Sequence, residues 1–441
     1  MLRQDRRDDQ DSQRKSGQRV SWPAQTQSQE KFRLWIAPAI CGQAIIRCAR
    51  SPPRNRGLLP QPKSEFAPPV AAFEQQEKQF ARAFSIIREA IALHAFPGAA
   101  LAVTHGGALV ASQGFGRFTY DEHSSEVQAE TIFDLASLTK VLAATAVAML
   151  LYERGKLALD EPLAQILPDF VTLAPRHQQE WRQAVTIRSL LTHCSGLPAY
   201  EKLFGFAATR EDLVRAALTT PLRAAPGTRA EYSDIGFILV GEVLAANAEL
   251  PLDVFARQEI FTPIGMTHTG FNPAPALKRE IPPTEDDRRF RNRIIQGEVN
   301  DENAYVMGGV AGHAGLFAPA TDAVRFAECM LRGGAPILQP ETVKLFTRRG
   351  NSPAGSSHAL GWDTPSWPDS SSGSSFSSVS FGHLGFTGTS LWIDPGRKLS
   401  VTLLTNRTWP DRSSQLIREV RPRVHDAIVE ALETKREPTS S

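Results

Sequence analysis

The sequence predicts a mixed α/β (α+β) fold. An antiparallel sheet, built from both ends of the chain and flanked by N- and C-terminal helices, carries an inserted all-helical subdomain. Three observations lead there. Near the start, apolar runs at 98–103 and 108–112 flank Gly106-Gly107, and two short apolar runs around a Gly-Gly turn read as a hairpin. Near the end, runs at 390–393 and 399–405 flank Asp394-Pro395-Gly396, a second hairpin signal. Between them, residues 137–270 read mostly as helix. Strands at both ends with helices between them make one intertwined unit rather than beads on a string.

In chain order, residues 1–30 are dominated by Arg, Gln, Asp and Ser, too little apolar surface to order themselves. Residues 34–46 are more apolar and follow Lys31 and Arg33. They read either as an export signal interrupted by Pro38, Gly42 and Gln43 or as an extension outside the fold. The Pro-rich stretch 51–69 reads as a linker. Residues 1–72 are thus expected to be a disordered basic tail and linker. The folded body is expected over 73–436, with a sheet subdomain at about 73–130 and 315–436 and a helical subdomain at about 131–314. A helix over 73–94 places Phe80, Phe84, Ile87 and Ile91 at helical spacing. A second runs on from Ser137 to Gly155, a third follows Tyr232, and one over 414–432 closes the body. The low-complexity stretch 369–380 (DSSSGSSFSSVS) is expected to be too polar to pack and to form a flexible loop beside His383.

Composition narrows the function. The chain has 441 residues, 41% hydrophobic and 22% charged, an ordinary globular balance. Its net charge of +2 hides an asymmetry: residues 1–60 hold 12 basic and 5 acidic residues, leaving 37 basic and 42 acidic in the rest. A net acidic body argues against nucleic-acid binding. No run of 18 apolar residues occurs, which argues against an integral membrane segment. The four cysteines, Cys41, Cys48, Cys194 and Cys329, lack the spacing of a disulfide scaffold or a zinc site. No His-Glu-x-x-His or aspartate-rich loop is present, so neither metal nor cofactor is expected. The expected partner is a small-molecule or peptide substrate, and oligomeric state is left open.

Three motifs carry chemistry. Ser137-Leu138-Thr139-Lys140 puts a hydroxyl and an amine on one helical face. A serine needs an adjacent base to become a nucleophile, and a lysine whose pKa is lowered can be that base. Alone, the tetrapeptide reads equally as a helix-start serine and a solvated lysine. Tyr232-Ser233-Asp234 follows about 95 residues later. A phenol beside an ammonium can relay a proton; the plainer reading is a packed Tyr with Ser233 or Asp234 as N-cap. His383-Leu384-Gly385 then leads into Phe386. Its glycine suggests a strand whose backbone approaches a ligand closely, and such a strand can give one N–H to an oxyanion hole; taken alone, the motif reads more simply as a glycine-rich strand and turn.

Together, in this order, the motifs resemble those of the penicillin-binding protein and serine β-lactamase family, in its class-C-like branch, whose pattern is Ser-x-x-Lys, Tyr-x-Asn, Lys-Thr-Gly. Residues 190–198 (LLTHCSGLP) are similar to the family's "LLTHTSGLP", and Pro226-Gly227 and the block 308–317 (GGVAGHAGLF) fit too. The resemblance covers roughly residues 75–435. It implies a β-lactamase/DD-peptidase-like fold and a two-step acyl transfer. Ser137 would be the acylated nucleophile, Lys140 the base or relay, and Tyr232 the partner base in deacylation. The N–H groups of Ser137 and Phe386 would form the oxyanion hole, and Asp234, His383 and Gly385 would contact substrate.

Two positions depart from the pattern. Asp234 replaces an Asn; a carboxylate only accepts, and near Lys140 it should favour the ammonium, moving the base role toward Tyr232. His383 replaces a Lys, so a substrate carboxylate would be held more weakly and with pH dependence. Efficient β-lactamase activity is therefore not expected. Residues 297–304 (GEVNDENA) look like the "G-x-V-H-D-x-N-A" segment of exo-acting N-acetylmuramyl-L-alanine amidases, with Asn300 in place of the His; a simple loop turn is the other reading of Asn300-Asp301. His193 is expected to be structural, and His313 stays open. The expected function is a serine hydrolase on a peptidoglycan-derived amide or ester. A small-ester carboxylesterase with weak β-lactamase activity and a non-catalytic penicillin-binding or sensor-type protein stand as alternatives. The compartment is left open, the resemblance leaning toward the cell envelope.

Overall fold

The structure is a computed structural model and describes residues 66–434. The expectations for the basic tail, the segment 34–46 and most of the linker lie outside the described residues, as do Cys41 and Cys48.

Eleven strands occur among the described residues: β1 (Val70–Ala71), β2 (Gly98–His105), β3 (Ala108–Gly116), β4 (Phe133–Asp134), β5 (Gly270–Phe271), β6 (Glu285–Asp287), β7 (Arg293–Ile295), β8 (Leu316–Ala318), β9 (Phe381–Leu384), β10 (Ser390–Asp394) and β11 (Leu399–Thr405). The main sheet has the order β1-β3-β2-β11-β10-β9. Its centre joins the two hairpins: β2 lies antiparallel to β11, with Val103 opposite Val401. Gly106 and Gly107 both have positive φ, which the two-residue turn between β2 and β3 requires.

Side-chain alternation explains the layers. On β2, Ala99, Leu101 and Val103 face a cluster that includes Phe80, Phe84 and Ile87 and, from the closing helix, Val424 and Ile428. Ala100 and Ala102 face the opposite cluster, shared with the helices of the middle region. The N- and C-terminal helices, Ala81–Ala92 and Ile417–Glu433, thus cover one face of the sheet. Burying each of Phe80 and Phe84 contributes roughly 1.5–3 kcal/mol.

Four expectations are corrected. The fold begins before Phe73, because β1 pairs in parallel with β3, so the sheet is not wholly antiparallel. The expected helix over 73–94 breaks at Phe80 into Gln76–Gln79 and Ala81–Ala92. The middle region is not all-helical: β5, β6 and β7 fall within it, and β5 joins β4 and β8 in a small sheet beside Ser137. The serine-rich stretch 369–380 does pack. Ser370, Ser372, Phe376 and Ser380 are buried. The Ser374 and Ser375 N–H groups donate to Asp426, and Ser377 donates to Asp394 from both its N–H and its hydroxyl. Polarity did not prevent packing, because these donors found buried or half-buried carboxylates.

Among the described residues one helical stretch, Ala136–Glu153, is long and apolar enough by composition to cross a membrane; 83% of it is buried inside the protein. Cys194 and Cys329 are free and buried.

Candidate active site

Ser137 lies on a tight 3₁₀ turn, Ala136–Leu138, followed by a π-helical stretch from Lys140 to Thr145 and an α-helix to Glu153. The residue before it, Ala136, holds φ +47. A non-glycine residue in that region is strained and persists only where its surroundings fix it. Asp134 does the fixing. Its Oδ1 accepts the Ala136 N–H at 2.8 Å and its Oδ2 accepts the Asn300 N–H at 2.6 Å. Its backbone carbonyl accepts the Thr387 hydroxyl at 2.8 Å, and the neighbouring Leu135 carbonyl accepts the Thr389 hydroxyl at 2.9 Å. Burial pushes the Asp134 carboxyl up to about 6, against the pull of its two N–H donors. Sequence reasoning gave Asp134 no role; a lone carboxylate before a helix carries no signal of partners 166 and 253 residues away.

Four of the motif side chains, Ser137, Lys140, Tyr232 and Asp234, meet around the lysine. The Lys140 ammonium is fully buried and donates to Ser137 Oγ at 3.0 Å, to Asp234 Oδ1 at 2.6 Å and to the His313 carbonyl at 3.1 Å. These acceptors use all three of its protons. Burial lowers the lysine pKa, with Asp234 opposing. The Tyr232 ring centroid lies 4.9 Å from Lys140 Nζ. Burial, then the charge of Asp234, raise its phenol well above the usual value. Asp234 supports the lysine ammonium, as its charge predicts, and also raises the Tyr232 phenol, while burial acts on both groups toward their neutral forms.

Ser233 is the N-cap of the helix Asp234–Ala248, its hydroxyl accepting the Gly236 N–H at 3.0 Å. His193 has the expected structural role. It is buried, its Nδ1 accepts the Ser233 N–H at 3.0 Å, and its ring packs on Tyr232 at 4.7 Å, so it positions the phenol. Burial lowers its pKa well below the ordinary value, which keeps it neutral for that acceptor role. His313 Nε2 pairs with Asp301 Oδ1 at 2.8 Å, and Asp301 also caps the helix Glu302–Val306. Asn300 is no simple turn residue. It is buried and donates from its side chain to Glu285 at 3.1 Å.

The third motif lies across the cleft on β9. His383 is buried, its Nδ1 donating to the Leu384 carbonyl at 2.7 Å and its Nε2 without a hydrogen-bond partner. Burial lowers its pKa, so a neutral imidazole stands where the family ammonium would. Gly385 is needed for close approach, though not to a ligand: a Cβ there would overlap the Thr389 hydroxyl and the Leu135 carbonyl. Phe386 is exposed and lines the cleft with Ser137, Tyr232, Asp234 and His383. The cleft has a volume of about 740 Å³. No cluster of three or more metal-ligating side chains occurs among the described residues.

A hydroxyl against a buried amine, beneath an open cleft faced by a glycine strand, is the arrangement of a serine acyl-transfer enzyme. The sequence profile named Beta-lactamase matches residues 83–422, and the chain belongs to this family of serine hydrolases. Among curated relatives, the N-acetylmuramyl-L-alanine amidase of Bacillus subtilis (strain 168) is 33% identical over 347 residues, 71% of this chain and 77% of that protein. A protein of Escherichia coli (strain K12) named "Putative D-alanyl-D-alanine carboxypeptidase" is 33% identical over 310 residues, 63% of this chain and 69% of that one. The fold is similar to EstCE1, described as a hydrolase with promiscuous acyltransferase activity, at TM-score 0.66 and 22% identity, covering 80% of this chain and 99% of that one. It is also similar to the octameric penicillin-binding protein homologue from Pyrococcus abyssi, at TM-score 0.62 and 20% identity, covering 82% and 78%.

Proposed function

We propose that the protein hydrolyses an amide of a peptidoglycan-derived peptide through an acyl-enzyme on Ser137. The carrying observation is the 3.0 Å contact between Ser137 Oγ and a fully buried Lys140 whose pKa is lowered. In the neutral-amine form Lys140 accepts the Ser137 proton as Oγ attacks the substrate carbonyl, and Asp234 stabilises the ammonium that results. The N–H groups of Ser137 and Phe386 hold the oxyanion. Tyr232, a neutral phenol beside Lys140, passes its proton to the departing amine as the C–N bond breaks and takes the Lys140 proton in its place, so no phenolate is left. Water then attacks the ester by the reverse relay and releases the acid.

The amide is favoured over a simple ester by the amidase and carboxypeptidase names of the relatives at 33% identity. Such a substrate would place the work at the cell envelope. In this reading the helical middle of the body, 131–314, supplies Lys140, Tyr232 and Asp234, and the sheet supplies Phe386. The neutral His383 favours a second reading, hydrolysis of small uncharged esters. Intact mass after a fluorophosphonate, together with turnover of muramyl-L-Ala peptides against p-nitrophenyl esters, tests both. A single adduct absent from Ser137→Ala and faster muramyl-peptide turnover are expected. An adduct that survives Ser137→Ala would sink the acyl-enzyme, and turnover of esters alone would leave the second reading.

A further inference from the structure

Beyond Phe386 the cleft is lined by Arg407, Arg412, Arg418 and Arg421. Arg412 is neutralised, paired with Glu285 at 2.6 Å and Glu302 at 2.7 Å. The other three have no carboxylate ion pair among the described residues. Arg407 and Arg421 are only 6% and 5% exposed. Arg421 spends one nitrogen on the Gly385 and Thr389 carbonyls, and its buried Nε has no partner. Arg407 donates from Nε to the Phe386 carbonyl at 2.7 Å, and its guanidinium lies 4.5 Å from the Phe386 ring centroid. Burial, then Arg407 and Arg418, push Arg421 down to about 9. Clustered buried cations without counter-ions are costly, and an anion entering the cleft removes that cost.

The cleft does not end there. Leu384, Arg418 and Arg421 also line a second hollow of about 540 Å³, whose other walls carry Ser370, Ser371 and Ser374 together with the carboxylates of Asp369, Glu419 and Asp426. Arg418 and Arg421 therefore stand between the Ser137 cleft and an acidic hollow that an anionic ligand would avoid.

We propose that the enzyme selects an acidic peptide as the part of the substrate beyond the scissile bond, its carboxylates held within the Ser137 cleft by Arg407, Arg418 and Arg421. The proposal rests on the acyl-transfer reading for its reaction but not for its binding. Two peptides with the same scissile amide, one carrying two Glu residues and one the matching Gln residues, test it. With the wild-type enzyme the Glu peptide is expected to have at least about tenfold higher kcat/KM, mainly through KM. Arg418 is exposed and makes no side-chain hydrogen bond among the described residues, so its replacement spares the fold; Arg418→Ala should erase most of the preference and Arg418→Glu should invert it.

Binding of the same labelled peptides to Ser137→Ala, read by fluorescence anisotropy, separates the two readings. Selective binding of the Glu peptide with no turnover by wild type sinks the acyl-enzyme and supports the anion site. Equal binding of Glu and Gln peptides overturns the anion site whatever the turnover. Displacement of the peptide by inorganic phosphate at concentrations where glutarate has no effect would assign the arginines to phosphate and overturn the carboxylate assignment.

Discussion

The two ends of the cleft are built on opposite terms. At the Ser137 end the carboxylates and the ammonium are partnered: Lys140 has three acceptors, Asp301 holds His313 Nε2, and Asp134 takes two N–H donors, with His313 Nδ1 left open. At the Phe386 end, His383 Nε2 and Arg421 Nε are buried without partners, and Arg407, Arg418 and Arg421 have no carboxylate ion pair among the described residues. A fully partnered group is fixed in place and serves chemistry, which tolerates little misplacement. An unpartnered one gains most when a ligand arrives, and so serves selection. The difference teaches that reactivity and specificity are assigned to separate walls of one cleft.

If that division holds, damage to the first end should abolish reaction rather than weaken binding. Lys140→Ala is expected to lower the rate of Ser137 acylation by at least about 10²-fold with substrate Kd little changed, read by stopped-flow with a fluorophosphonate. A loss confined to Kd would erase the contrast between the walls. Asp134→Ala comes next. It leaves the Ala136 and Asn300 N–H groups buried without acceptors, at about 3 kcal/mol together. Urea unfolding should show that loss alongside slower acylation; full stability would mean that Asp134 does not hold the strained turn.

Asp234→Asn is the mildest and sharpens the contrast most. Lys140 must lose its proton to act, so acylation rises with pH through the lysine pKa. Asp234 raises that pKa against the lowering by burial. Removing the carboxylate should therefore move the rising limb of the pH–rate profile to lower pH, by about one pH unit or more. A limb that stays put would show that another group titrates there.

Much of this was legible in the sequence. Ser137 and Lys140, three apart on one helical face, do touch, and the two hairpin turns fall where Gly106-Gly107 and Asp394-Pro395-Gly396 put them. Ser233 caps the helix it precedes. What stayed hidden depends on tertiary surroundings. Lys140 as a lone letter could be solvated or buried, and only packing makes it a base. Arg407, Arg412, Arg418 and Arg421 gave no signal in the sequence, because nothing local says that two of them are covered. The serine-rich stretch read as loose because composition counts hydroxyls but not their acceptors, and Asp426 and Asp394 lie 52 and 17 residues away.

The threonine ties between the Ser137 turn and the strand edge set a timetable. Thr387 and Thr389 reach back to Asp134 and Leu135 across 253 and 254 residues. While the chain is being made, the serine and its lysine emerge early, yet the turn that aims the hydroxyl lacks its clamp until residue 389 has been synthesised. The middle of β2 likewise waits for β11. A contact order this long makes folding a late, concerted event. The nucleophile is therefore armed only when nearly the whole polypeptide exists, and a nascent fragment that stops between residues 234 and 387 carries Ser137, Lys140 and Tyr232 without the clamp.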